Sequence, residues 1–285
     1  MFERILTAED PRVADYRGVS EPELLRSRNL FVAEGRLVVT RLIEDGRWTV
    51  RSVLVSDQAR RELEPTLAAI AQQVPILVCD STDFLGITGH HMHRGCLALV
   101  ERPPALSLNE LLRHSCLALV LEGVTNADNV GGVFRNAAAF GADAVVLSPT
   151  CCNPLYRKAI RTSMGASLRV PFVQLDEWPS ALLRLRTSGF TLAALVVMAR
   201  AEPWETLETF ASRPRPPKLA LLIGAEGPGL TPAVESAADH RISIPIEPAV
   251  DSLNLAVAAG IALERLTRHT RGRGILGART SDDRR

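Results

Sequence analysis

Apolar residues come in two arrangements along the chain: short unbroken runs, and runs spaced every three or four positions. In the first hundred residues such runs lie within 50–56, 75–79 and 95–100, and each segment predicts a strand. The spaced runs are 21–28, 37–43 up to the stop at Asp45-Gly46, and 60–72, and each predicts a helix. A polar stretch holding Gly86 and Gly89 separates the last two strands. Such alternation describes a small α/β domain.

Consecutive prolines in Glu101-Arg102-Pro103-Pro104-Ala105 can continue neither helix nor strand, which makes this stretch the linker. Beyond it the alternation restarts. Strands are expected at 116–121, 144–147, 170–173, 190–197, 219–223 and 242–246, and helices at 132–140, 155–164, 177–186, 232–238 and 252–269. Continuous apolar strands between helices imply a mainly parallel sheet covered on both faces. Ligands of such sheets bind in the loops beyond the carboxyl ends of the strands. The expected division is a domain at 1–102, a second at 107–270 and a tail at 271–285.

Composition narrows the class without naming a function. Of 285 residues, 46% are hydrophobic and 23% charged, which excludes a disordered, collagen-like or disulfide-stapled chain. The 33 basic and 32 acidic residues nearly cancel, so net charge gives no sign of a nucleic-acid partner. Arginine dominates the bases, with Lys158 and Lys218 the only lysines, and residues 265–285 carry seven Arg against two Asp. Five cysteines, Cys79, Cys96, Cys116, Cys151 and Cys152, lack CxxC spacing and read as buried, reduced thiols in a reducing compartment. No signal-peptide pattern and no long apolar window is present, so a cytoplasmic chain with no membrane partner is expected. His90-His91-Met92-His93 has no Cys or Asp companions and reads as solvated, so no metal is expected.

Three loops carry residues that packing does not require. The first, Glu122 through Arg135, has the Asn/Asp/Gly content of a tight turn into a helix, in which Asn129 can be a cap and Arg135 a solvated helical residue. It contains neither a GxGxxG nor a Walker pattern. The second is Gly224-Ala225-Glu226-Gly227-Pro228-Gly229-Leu230-Thr231, where glycines admit a ligand close to the backbone and Thr231 can cap the next helix. In the third, Ile244 through Leu255, Asp251 or Ser252 can cap the last helix. Asn254, inside an otherwise apolar helix start, needs polar partners and marks a site.

Together and in this order the three stretches resemble the motifs of the SpoU/TrmH family of RNA ribose 2′-O-methyltransferases, of the SPOUT class. The matching positions are Asn129, Gly131 and Arg135 in the first motif, Gly224, Glu226, Gly227 and Gly229 in the second, and Pro245, Ser252, Leu253 and Asn254 in the third. The stretch 161–166 also looks like the family, and the resemblance covers about residues 116–269. Phe31–Arg36 and Gly95–Val100 are similar to the ribosomal-protein-like RNA-binding domain often found ahead of such a domain. One departure is Ala256, where many members carry Ser.

The resemblance implies an α/β SPOUT domain with a parallel sheet and a deep trefoil knot, a homodimer, and S-adenosyl-L-methionine as cofactor. It implies cofactor contacts at Gly224, Gly227, Ile244 and Leu253. Arg135, Asn129, Glu226, Ser252 and Asn254 would carry catalysis, with Asn129 orienting Arg135. Guanidinium is always protonated, so Arg135 fits better as an electrostatic partner of phosphate and alkoxide than as a base. The expected activity is methylation of a ribose 2′-hydroxyl in RNA, with ribosomal RNA favoured over tRNA. The alternatives are a tRNA methyltransferase and a non-catalytic RNA-binding protein that retains the fold.

Overall fold

The computed structural model describes residues 1–17, 20–88, 95–197 and 205–271. The histidine cluster at 90–93 and the arginine-rich tail beyond 271 lie outside these residues. Two compact units emerge: Met1–Ala105 together with Asn153–Leu168, and Leu106–Cys152 together with the chain from Arg169 onward.

In the first unit the chain runs β1 (Phe2–Arg4), α1 (Glu21–Ser27), β2 (Leu30–Glu34), α2 (Arg36–Asp45), β3 (Val50–Ser56), α3 (Asp57–Glu62), α4 (Glu64–Ile70), β4 (Ile76–Cys79), α5 (Ser81–Thr88) and β5 (Cys96–Glu101). The sheet order is β1-β4-β3-β5-β2. β1, β4 and β3 are parallel, and β5 runs antiparallel to both β3 and β2. Ile5, Val13, Leu54, Leu77, Phe84 and Leu97 sit in its core.

Three elements depart from the periodicity. The helix expected over 60–72 is broken in two, because Pro65 has no N–H to give and its ring opposes the preceding turn. Its first piece starts early, at Asp57, because the Ser56 hydroxyl accepts from the Ala59 N–H. The polar stretch after Cys79 is helical from Ser81, where the Asp80 carboxylate accepts from the N–H groups of Thr82 and Asp83. Leu30–Glu34, for which no strand is expected above, pairs along its length with β5.

In the second unit the order is α6 (Leu108–Arg113), β6 (Leu117–Glu122), α7 (Ala127–Phe140) and β7 (Ala144–Leu147). Next along the chain comes α8 (Arg157–Thr162), then β8 (Phe172–Gln174), α9 (Ala181–Thr187), β9 (Thr191–Val196), β10 (Glu205–Thr206) and α10 (Leu207–Ala211). The chain closes with β11 (Leu219–Gly224), α11 (Pro232–Ala237), β12 (His240–Ser243) and α12 (Leu255–Arg271). Seven strands lie in the order β10-β12-β9-β11-β6-β7-β8, every neighbouring pair parallel. Side chains alternate across the strands. Ala118, Val120, Ala220 and Leu222 pack with Leu108, Leu182, Leu185 and Val234 of α6, α9 and α11. Leu117, Leu119 and Leu121, equally buried, point to the other face, and α7 and α12 pack on each other.

α8 and its flanks belong to the first unit, whereas the sequence reading ran a domain unbroken through 107–270. The cause is polar: the buried Glu34 carboxylate pairs with Arg157 and Arg161, and Glu21 accepts from the Arg157 N–H. Among the described residues no helix is long and apolar enough to cross a membrane.

Candidate active site

β6 delivers the first motif. Its last residue, Glu122, is followed by a loop whose backbone is tied down by residues after β7. Ser148 accepts from the Gly123 N–H, the Cys151 sulfur accepts from the Val124 N–H, and the Cys152 N–H donates to the Val124 carbonyl. α7 begins at Ala127, five residues before the predicted start. Asn126 is its cap, its side chain accepting from the Asp128 N–H. Asn129 is therefore a buried residue of the first turn and not a cap.

The second loop leaves β11 and folds back on itself. A Cβ on Gly224 would lie 2.1 Å from the Gly229 carbonyl carbon and 2.2 Å from the Leu230 nitrogen, so no other residue fits. The third loop ends at α12, which starts at Leu255 and not at Ser252. Neither Asp251 nor Ser252 caps it. That role falls to Asn254, whose Oδ1 accepts from the N–H groups of Ala256 and Val257.

The three motifs meet at the Asn254 amide. Its Nδ2 donates to Asn129 Oδ1 at 2.9 Å and to Glu226 Oε1 at 3.0 Å. One side chain thus uses its acceptor for the helix and its donors for the other two loops. α7 and α12 are close enough for this because Gly132 has no side chain. A Cβ there would stand 2.6 Å from that of Ala256, and Asn136 Nδ2 donates to the Ala256 carbonyl at 2.6 Å.

Beside this junction a cleft of about 440 Å³ opens at the carboxyl ends of β9, β11 and β12. Apolar side chains of Leu195, Ile223, Ile244, Ile246 and Leu253 line it, with Gly224 to Gly229 on another side. Gly224, Gly227, Ile244, Leu253, Glu226 and Ser252, all singled out from sequence, border it; Asn129 and Arg135 do not. Arg135 is exposed on α7, and its guanidinium has no hydrogen bond or ion pair among the described residues. Asn129 spends its side-chain oxygen on Asn254, so the expected orienting of Arg135 by Asn129 is not what the structure shows. The two residues lie six apart, roughly 120° around the helix from each other.

Sequence reasoning passed over Glu122 and Trp178. Glu122 is 7% exposed, and its carboxylate takes the Trp178 indole N–H at 2.7 Å, the Thr231 N–H at 2.7 Å and the Thr231 hydroxyl at 2.9 Å. An acid closing an otherwise apolar strand was the available signal.

A sequence model of the SpoU rRNA methylase family matches residues 116–264. An uncharacterized tRNA/rRNA methyltransferase of Mycobacterium bovis is 38% identical over 264 residues, covering 91% of this chain and 90% of the relative. The 23S rRNA (guanosine-2′-O-)-methyltransferase RlmB of Ralstonia nicotianae is 31% identical, covering 79% and 90%. Among solved structures, the AdoMet-bound rRNA methyltransferase from Sinorhizobium meliloti superposes with a TM-score of 0.78 at 21% identity, covering 94% of this chain and 98% of that one. The SpoU methyltransferase AviRb from Streptomyces viridochromogenes, in complex with AdoMet, gives 0.76 at 21% identity, covering 92% and 99%. These likenesses establish the fold.

Proposed function

The chain belongs to the SpoU rRNA methylase family, and on that premise we propose that it is an S-adenosyl-L-methionine-dependent methyltransferase acting on a ribose 2′-hydroxyl in RNA, with ribosomal RNA favoured. The observation that carries the reading is the Asn254 amide joining Asn129 and Glu226 beside the glycine-walled cleft.

The cleft fits the cofactor. Its apolar side chains suit an adenine ring, and the close-folded backbone at Gly224 offers polar groups that no Cβ obstructs. Its charged lining residues, Glu226, Glu235, Glu247 and Asp251, are all acidic, which matches a cationic sulfonium. Gly224, Gly227, Ile244 and Leu253 would hold the molecule, which supplies an electrophilic methyl group when bound. Arg135, exposed and unpaired, is available to an RNA phosphate and to the charge that develops on the ribose oxygen. Asn129 acts through Asn254 and Glu226 instead of through Arg135. Ser252, exposed on the cleft rim, completes the polar wall.

Ribosomal RNA is favoured because the Ralstonia relative is named for 23S rRNA, with tRNA the second reading. The first unit would bind the RNA. A homodimer is supported by Val257 and Ile261, which stand one turn apart and exposed on α12. A trefoil knot is supported by the strand order. β11 inserts between β9 and β6, and the chain then returns past both to lay α12 on α7. A cytoplasmic location completes the reading.

The test is methyl transfer from labelled S-adenosyl-L-methionine to total RNA, with the product mapped by resistance to alkaline cleavage. A single 2′-O-methylated nucleotide is expected. Cofactor binding without transfer to any RNA would establish the non-catalytic alternative. Arg135→Ala should lower transfer by at least about a hundredfold while changing cofactor Kd less than about threefold.

A further inference from the structure

Glu122 stands apart from the residues that border the cleft, and its surroundings are unusual for a carboxylate. It is buried, no arginine or lysine among the described residues is paired with it, and three donors from two other chain segments converge on it. A buried carboxylate is tolerated only when hydrogen bonds replace its water. The placement of those donors gives it a task. Glu122 lies opposite Gly224 in the β6–β11 ladder, at the start of the second loop. Its carboxylate holds the backbone and the hydroxyl of Thr231, at the end of the same loop. Thr231 Oγ1 in turn accepts from the Val234 N–H and starts α11. Both ends of the loop carrying Gly224, Glu226 and Gly227 are thereby referred to one residue, the Gly224 end through the backbone ladder and the Thr231 end through the carboxylate.

We propose that Glu122 is the positioning residue of the cofactor loop: it clasps residues 224–231 closed, and so sets cofactor affinity without touching the cofactor. The inference rests on the cleft being the S-adenosyl-L-methionine site. Of the two side chains that donate to Glu122, only Thr231 belongs to the loop, whereas Trp178 comes from the connection before α9. A purely structural carboxylate would make the two interchangeable, and a clasp would not.

The test is calorimetric titration of the purified full chain with S-adenosyl-L-methionine, alongside thermal melts. Thr231→Val removes the hydroxyl from the clasp and should raise cofactor Kd about tenfold, as loss of a hydrogen bond to a charged group does. Thr231→Ser should restore it. Trp178→Phe should lower the melting temperature while leaving Kd within about twofold of the unaltered chain. Glu122→Gln, which puts an amide N–H against a donor, should raise Kd at least as much as Thr231→Val. In steady state the rise should appear in the KM for the cofactor, with kcat altered less. Equal Kd values for Thr231→Val and the unaltered chain would overturn the clasp while leaving the functional reading intact. So would equal losses of affinity in Thr231→Val and Trp178→Phe. Absence of binding to the unaltered chain would overturn the functional reading and the clasp with it.

Discussion

The two sheets bury their polar side chains for different ends. In the first unit the buried polar groups close the fold. Glu34 holds Arg157 and Arg161, Ser52 meets the Tyr16 hydroxyl, and Ser56 caps α3. In the second unit Glu122, Asn129 and Ser148 gather at the carboxyl ends of β6 and β7, where the motif loops begin. The difference follows from strand direction. Seven parallel strands bring all their outgoing loops to one edge, so polar residues from distant motifs can meet there. A mixed sheet sends loops to both edges, and its buried polar groups find local or structural partners.

Substitutions in each region sharpen this contrast. The largest effect is expected from Gly224→Ala, whose methyl would lie 2.1 Å from backbone that cannot yield cheaply. It should cost about 3 kcal/mol of stability, as overpacking does, or an equivalent hundredfold in cofactor affinity. Calorimetry and thermal melts would show which. Glu34→Ala comes next. It removes a buried carboxylate from beside two arginines, of which Arg161 keeps much of its water, so a loss of about 2 kcal/mol in urea unfolding is expected. Cofactor Kd should not change; a loss there would break the division of labour between the regions.

The smallest effect concerns thiols. Burial pushes the Cys79 and Cys96 thiols up to about 12, and the Cys151 thiol is raised by the same cause. Only the thiolate reacts, so near pH 8 these three should resist iodoacetamide in the native chain. The exposed Cys116 should be labelled first, as mass spectrometry of the digested chain would record. The reading of all five cysteines as buried fails at that residue.

The near-neutral charge also looks different in three dimensions. Arg4, Arg12, Arg28, Arg36, Arg47, Arg186 and Arg213 each sit on a neighbouring carboxylate, so part of the arginine is spent within the molecule. Such exposed pairs are worth little individually. Arg135 has no such partner among the described residues.

Much of the second unit was legible from apolar runs. The predicted strand 144–147 matches β7, and 219–223 falls one residue short of β11. Where the reading slipped, a local hydrogen bond or a proline was responsible: Asn126 starting α7 early, Asn254 starting α12 late, Pro65 dividing a helix. The motif residues were legible too, but their partnerships were not. Asn254 was marked as a polar residue in need of partners, and the structure supplies Asn129, Glu226 and the start of α12.

By itself the sequence determined which segments are buried, that the second sheet is parallel, and which loops carry chemistry, because burial and pleat leave their period in neighbouring residues. Tertiary structure alone decided which loop residues touch, that Glu122 reaches Thr231, and that α8 joins the first unit. Most of those contacts link residues more than a hundred positions apart, and the tertiary arrangement that joins them leaves no local period.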